Sequence, residues 1–187
     1  MIALLAALSL GAAPAVQSPT MADCSLSEAD LAANRTLTFE QFDQYRSTLR
    51  STAWNLSMAG CHAASAEADQ DYLIHGPVLT DRQYVVVRWH MALSLAQAGR
   101  ELEAIPLAAA SIAPVEPSED QFDWNTYVRG VWGFLTKRRE VLETALTTLK
   151  TAPGGRNGIN ARALGRLSNC FDRPYREAVE SGSCAVE

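Results

Sequence analysis

The chain contains three breaks between helix-friendly stretches, and their spacing is nearly regular. The segment SLAQAGRELEAIPLAAA, residues 94–110, consists of two such stretches joined at Gly99. Comparable breaks stand at Gly60 and Lys137, so that successive breaks are 39 and 38 residues apart. Prolines follow the breaks after 17, 18 and 16 residues, at Pro77, Pro117 and Pro153. A period of this size predicts stacked helical hairpins, because one hairpin cannot bury its apolar face alone.

Small residues recur on both sides of these breaks. Seven residues before the breaks stand Ala53, Ala92 and Gly130, all of them small. Five residues after the breaks stand Ser65, Ala104 and Leu142, of which the first two are small. Small side chains are what two helices need in order to approach closely within one hairpin. We therefore predict an all-α fold of antiparallel helical hairpins, stacked as a short solenoid.

The composition agrees with a globular helical protein and argues against a nucleic-acid-binding protein. Hydrophobic residues make up 48% of the 187 residues and charged residues 20%, and long segments are rich in Ala and Leu. The formal net charge is −5, and the one basic cluster covers only residues 137–139. Binding to phosphates needs a larger basic face, so we expect no nucleic-acid partner.

Two capping boxes predict where the first helices begin. Ser25 and Glu28 have the spacing in which each side chain bonds the backbone amide of the other residue. Thr38 and Gln41 repeat this arrangement. Apolar residues then follow at steps of three and four as far as Leu56, which predicts one longer helix up to the break at Gly60.

The spacing of these residues resembles that of the tetratricopeptide-repeat superfamily. The resemblance covers residues 38–153 in three degenerate copies, with a period longer than the usual ~34 residues. It is carried by Ala92, Leu95, Gly99 and Ala104, and more faintly by Ala53, Leu56, Gly60, Gly130 and Leu142. The tail CFDRPYREA, residues 170–178, is similar to a segment of exported bacterial proteins of uncharacterised function.

This resemblance implies a concave groove that binds a peptide or a partner protein. In the superfamily, the first helix of each hairpin lines that groove. The corresponding positions are Arg50 and Trp54 in the first copy, Trp89 and Leu93 in the second, and Trp124, Tyr127 and Val131 in the third. Exposed aromatic side chains are common binding anchors. The alternative is that these rings fill the seams between hairpins.

The N-terminal segment is typical of a secretory signal peptide. An apolar run at residues 2–10 precedes Ala13 and Ala15, which predicts cleavage after Ala15. The run is shorter than the ~20 residues that span a bilayer. We therefore predict a signal peptide at residues 1–15 and a helical-repeat domain at 16–187. The mature protein would be periplasmic or secreted, without an integral membrane segment; the alternative is a buried N-terminal helix.

An even number of cysteines in an exported chain predicts disulfides. The four cysteines are Cys24, Cys61, Cys170 and Cys184. Their number predicts two disulfides, and three pairings are possible. The last two bracket a short predicted helix, and the first two share the N-terminal part of the chain. Zinc binding is the weaker interpretation, because the chain contains no Cys-x-x-Cys pair.

The sequence contains no recognisable catalytic motif, so we predict a non-catalytic protein without a metal or cofactor. The alternative is an enzyme or small-ligand-binding protein with a pocket between hairpins near His90 or His62. An acidic, proline-rich stretch lacks the alternation that wraps calcium and is interpreted as a solvated linker. Its carboxylates are Glu116, Glu119, Asp120 and Asp123, the last of which can cap the following helix.

Overall fold

The computed structural model describes residues 23–113 and 122–186, and in these two ranges the chain forms helices and no strand. The predicted all-α fold class is therefore confirmed. The predicted signal peptide lies outside the described residues, as do Glu116, Glu119 and Asp120 of the linker.

Helices of six to seventeen residues follow one another along the described chain. They are α1 (Glu28–Asn34), α2 (Ala53–Met58), α3 (His62–His75), α4 (Asp81–Gln97), α5 (Glu101–Ala110), α6 (Trp124–Leu135), α7 (Arg139–Thr151), α8 (Gly155–Asn169) and α9 (Tyr175–Glu180). A π-helical turn (Glu40–Gln44) lies between α1 and α2, and a 3-10 turn (Gly182–Cys184) follows α9.

Consecutive helices pair into hairpins, and consecutive hairpins pack against each other. The pairs are α2 with α3, α4 with α5, α6 with α7, and α8 with α9. Between hairpins, α3 packs on α4, α5 on α6 and α7 on α8. This sequential packing confirms the predicted stack of antiparallel helical hairpins.

The three predicted breaks share one backbone conformation. Gly60, Gly99 and Lys137 have left-handed backbones, with φ of 77°, 79° and 56°. At each break, the amide of this residue bonds to the carbonyl three residues earlier, and the next amide bonds to the carbonyl five residues earlier. These two hydrogen bonds together form the Schellman motif, which ends a helix and reverses the chain. The same hydrogen-bond pattern therefore closes the first three hairpins.

The small residues near the breaks stand where helices approach each other closely. A Cβ atom added to Gly130 would lie 2.5 Å from Leu164 Cδ1 and 3.0 Å from Ala145 Cβ. In the first hairpin, the Ser65 hydroxyl donates to the Ala53 carbonyl over 3.0 Å. Larger side chains at these positions would push the helices apart.

The first part of the stack differs from the prediction in two respects. The capping box of α1 is formed by Ser27 and Asp30, not by Ser25 and Glu28. Thr38 and Gln41 do bond reciprocally, but the predicted long helix is replaced by the π-helical turn, which ends where Tyr45 becomes extended.

Side chains explain why the segment between this turn and α2 is irregular. The Asn34 side-chain amide donates to the Ser51 carbonyl over 2.8 Å. The Asn55 side-chain amide donates to the carbonyls of Ser47 and Leu49 over 2.7 and 2.8 Å. These bonds satisfy backbone carbonyls that a continuous helix would otherwise have paired.

The Cys24–Cys61 and Cys170–Cys184 disulfides are both present. The first ties the N-terminal segment to the break at Gly60. Two disulfides fit an oxidising compartment. Within the part of the chain that the structure describes, no helix combines the length and the apolarity needed to cross a membrane.

Residues 170–184, which we call the C-terminal strap, run along the edge of the stack where the breaks lie. Lys137 Nζ donates to the Phe171 carbonyl over 3.0 Å. The backbone amide of Tyr175 donates to the Glu101 carboxylate, next to the second break. At the first break, Glu180 lies 3.7 Å from His62. The strap therefore contacts the turns of three hairpins in reverse order.

We expect Trp89→Ala to destabilise the fold. Trp89 is 2% exposed, and its ring lies edge-on to Trp124 and Tyr127 at centroid distances of 6.1 and 5.6 Å. Loss of a buried Trp typically costs about 3–5 kcal/mol of unfolding free energy. Urea unfolding of the variant measures this cost. Tyr84→Ala is the control because Tyr84 is 42% exposed on the same helix, and equal stabilities of the two variants would contradict this packing.

Removal of the strap disulfide by Cys170→Ser with Cys184→Ser should destabilise the protein by roughly 3 kcal/mol, the value expected for a loop of this length. Hydrogen exchange should then rise at the amides after the first two breaks, because the strap no longer holds those turns. Faster exchange confined to residues 170–184 would show that the strap does not support the stack.

Candidate functional site

The residues predicted to line a groove divide into buried and accessible sets. Trp89, Trp124 and Val131 are buried in the main apolar cluster of the stack. At these three positions the groove prediction is wrong, because the neighbouring hairpin covers the side chains. The Trp124 indole also donates to the Ser111 carbonyl over 2.9 Å, so its polar atom is used internally.

The other four positions lie nearer the surface. Tyr127 is partly buried against Phe122 and Trp89, and burial raises its pKa to about 12. The Arg50 guanidinium donates to the carbonyls of Asp23 and Ser25, so it anchors the N-terminal segment. Trp54 and Leu93 line a cleft, which brings together one predicted position from the first hairpin and one from the second.

This cleft, which we call the His90 cleft, has a volume of about 120 Å³ and lies between α2 and α4 beside the π-helical turn. Its lining is Asp43, Ala53, Trp54, Ser57, Ser65, His90, Leu93, Ser94 and Gln97. Trp54 is 39% exposed, which places its ring at the rim. The ring also borders a wider surface depression of about 800 Å³ that includes Arg46 and Met58.

Two buried carboxyl groups distinguish this region from the rest of the interior. Asp43 and Asp69 are both almost inaccessible to solvent. Asp69 makes no hydrogen bond with any described residue. Burial, and then the nearby charge of Asp43, raise the pKa of Asp69 well above its ordinary value, which favours the neutral acid. Buried carboxyl groups cost stability, so their presence beside a cleft points to a functional role.

His90 and Asp43 form an ion pair at the floor of the cleft. His90 Nδ1 lies 2.7 Å from Asp43 Oδ1, and the Gln44 side-chain amide donates to the other carboxylate oxygen. Burial lowers the pKa of His90, but the charge and hydrogen bond of Asp43 outweigh it and raise the pKa. The His90 side chain is 35% exposed and that of Asp43 only 1%, so the histidine is the member of the pair that a ligand can reach.

A chain of hydroxyl groups crosses the same cleft. The Ser65 hydroxyl donates to the Ala53 carbonyl over 3.0 Å, and it lies 3.1 Å from the Ser94 hydroxyl. Ser94 is four residues after His90, so both side chains lie on one face of α4. The cleft thus presents an imidazole and a serine side by side.

His62, the second histidine of the alternative prediction, is in a different environment. It is buried next to the C-terminal strap, and its Nδ1 has no hydrogen-bond partner among the described residues. Burial lowers its pKa, and the nearby Arg176 lowers it further. His62 does not line the His90 cleft, so the structure separates the two histidines.

Sequence reasoning missed Asp43, Asp69 and Ser94. Ser94 is a polar residue within an apolar stretch of α4, which is a usable signal, whereas Asp43 and Asp69 have polar neighbours in the sequence and give no such signal. Asp69 follows Ser65 by four residues, which places both on one face of α3. Among the described residues, no group of three or more His, Cys, Asp or Glu side chains could hold a metal ion.

Comparison with known protein families, with curated proteins and with solved structures finds no match to this chain. The resemblance to tetratricopeptide repeats and to exported bacterial proteins therefore stays a prediction.

We expect Asp43→Asn to lower the pKa of His90. The variant keeps the shape of the side chain but removes the charge that raises this pKa, leaving burial as the dominant effect. NMR titration of the His90 ring protons measures the change. Glu67→Gln, which removes an exposed carboxylate from α3, is the control and should leave the titration unchanged. An unaltered His90 pKa in Asp43→Asn would contradict the ion pair.

The same pair should make stability depend on pH. Because folding raises the pKa of His90, the stabilisation is complete below the pKa of the unfolded state. It is lost as the pH rises through the folded pKa. Urea unfolding at a series of pH values should show this decrease in the wild type and a smaller one in Asp43→Asn.

Proposed function

We propose that the protein is a non-catalytic, exported binding protein that takes a group of a peptide or partner protein into the His90 cleft. In this proposal Trp54 anchors the partner at the rim, and Leu93 forms part of the wall. The remainder of a bound segment would follow the wider depression beyond Trp54. The observation that carries the proposal is a cleft that holds the Asp43 and His90 pair in a mainly apolar lining, with the exposed indole of Trp54 at its mouth.

Three physical arguments support this function. Trp is among the residues that contribute most to binding when a partner covers them. The cleft places polar groups within an otherwise apolar surrounding, which is typical of sites that fix the orientation of a ligand. Stacked hairpins hold both walls of the cleft on packed helices, so that little ordering is required on binding.

The proposed location is the periplasm or the extracellular medium. The signal-like N-terminus and the two disulfides support export. A partner would then be a protein or peptide of the same compartment. The relationship to tetratricopeptide-repeat proteins is part of this proposal and is supported by the three equivalent turns of the stack.

A second candidate is a carrier of a free small molecule at the same cleft. The polar lining beside His90 and the volume of about 120 Å³ favour it. A cavity of comparable size, about 150 Å³, admits benzene in another protein. Among the described residues, no serine or cysteine hydrogen-bonds to the His90 ring, so no enzymatic step is proposed.

To test the proposal, peptides that bind the full mature chain are selected from a displayed random library. We expect selected peptides to bind the wild type, and Trp54→Ala to weaken their binding by roughly tenfold or more, as measured by calorimetry. Tyr84→Ala is the matched control, because Tyr84 is an aromatic residue of similar exposure that does not line the cleft.

Equal binding by the Trp54→Ala and Tyr84→Ala variants would show that the peptides bind elsewhere, and it would overturn the assignment of the cleft. Failure to select any peptide would favour the small-molecule carrier over the peptide-binding protein.

A further inference from the structure

We infer that the His90 cleft recognises a primary carboxamide group, such as the side chain of Asn or Gln. This inference rests on the proposed function and names the chemical class of the group that enters the cleft. It follows from the direction of the hydrogen bonds already made by the residues that line it.

The serine chain has a fixed direction. A carbonyl cannot donate, so the single hydroxyl hydrogen of Ser65 is directed to the Ala53 carbonyl. Ser65 can then only accept from Ser94, which must use its own hydrogen for that bond. The Ser94 oxygen is left with a lone pair and no hydrogen. A ligand next to Ser94 must therefore donate.

His90 has the opposite character. Asp43 occupies Nδ1, so Nε2 is the ring nitrogen left for a ligand. The carboxylate raises the pKa of His90 and favours the imidazolium form, in which both ring nitrogens carry hydrogens. A ligand next to Nε2 must therefore accept.

A ligand of the cleft must therefore offer a hydrogen-bond acceptor to His90 and a hydrogen-bond donor to Ser94, and these two groups must lie a few ångströms apart. Residues four apart on a helix are neighbours, with Cβ atoms about 5–6 Å apart. The oxygen and nitrogen of a carboxamide are only about 2.2 Å apart, but a hydrogen bond of about 2.9 Å at each of them lets one carboxamide bridge two such side chains. A carboxylate has no hydrogen for Ser94, and an ammonium has no lone pair for His90. Ser57 and Gln97, which can each donate or accept, would adapt to the bound group.

The charges around the cleft agree with a neutral ligand. The π-helical turn contributes Asp43, which is paired with His90 of α4. From α3, burial raises the pKa of Asp69 and favours its neutral form, and the Tyr72 hydroxyl donates to the Leu37 carbonyl. The residues of α2 that line the cleft carry no charge. The residues around the cleft therefore carry no net charge that would favour an ionic ligand.

Three probes of similar shape test the inference: propionamide, propionate and propylamine. Each is titrated at millimolar concentration into the full mature chain, at a pH below the pKa of His90, while NMR follows the His90 ring. We expect propionamide to shift the ring signals and to bind at least about tenfold more tightly than either charged probe.

A variant and a pH series identify the two bonds separately. Ser94→Ala removes the acceptor and should weaken propionamide binding by roughly tenfold, whereas Ser168→Ala, a serine bonded to Glu143 outside the cleft, should leave it unchanged. In the unmodified protein, propionamide binding should weaken as the pH rises through the His90 pKa, because Nε2 then loses its hydrogen. The pH series uses the unmodified protein, so its result does not depend on whether a variant folds.

Tighter binding of propionate or propylamine, or no response to propionamide, would overturn the carboxamide inference. The proposed function has its own test, because peptide binding that depends on Trp54 would stand even if the entering group were charged. Peptide binding that does not depend on Trp54 would contradict both the proposed function and the carboxamide inference.

Discussion

The left-handed backbone at three successive breaks determines where the chain can reverse. A residue with a β-carbon is disfavoured there by about 1–2 kcal/mol, and glycine avoids that cost at Gly60 and Gly99. Lys137 adopts the same conformation with a side chain that bonds to the carbonyls of Phe171 and Arg173. The third turn therefore depends on tertiary contacts, whereas the first two are specified locally. Once these turns are in place, each hairpin has an apolar face that only its neighbours can cover.

The first hairpin differs from the others in what it places in its interior. Phe42 stacks on Tyr72 at a centroid distance of 3.9 Å in an apolar cluster separate from that of the later hairpins. Asp43, the next residue, turns to the second hairpin and bonds to His90. A π-helical turn carries both residues, and such turns are frequent at functional sites. Through this turn, two adjacent residues serve different ends: Phe42 packs in the apolar cluster of the first hairpin, and Asp43 places its carboxylate in the cleft.

The sequence predicted the fold well because the turns and small residues are local or regularly spaced signals. It predicted the site only in part. Trp54 and Trp89 both stand on helices that begin a hairpin, but Trp89 meets Trp124 of the next hairpin whereas Trp54 stays at the surface. Which ring is covered depends on packing between hairpins, which residue spacing does not specify. The sequence marks His90 as a candidate, but its partner Asp43 is 47 residues away, on a π-helical turn that stands where the sequence predicts a continuous helix.

The C-terminal strap changes how a repeat array of this kind can evolve. Repeat proteins commonly gain or lose units, since each unit contacts only its neighbours. Here, one short segment must reach from the third turn at Lys137 to the first turn at His62. An inserted hairpin would lengthen that edge beyond the reach of the strap, and a deleted hairpin would leave it without its partners. The strap thereby fixes the number of hairpins, and sequence change is directed to the substitution of side chains within an array of constant length.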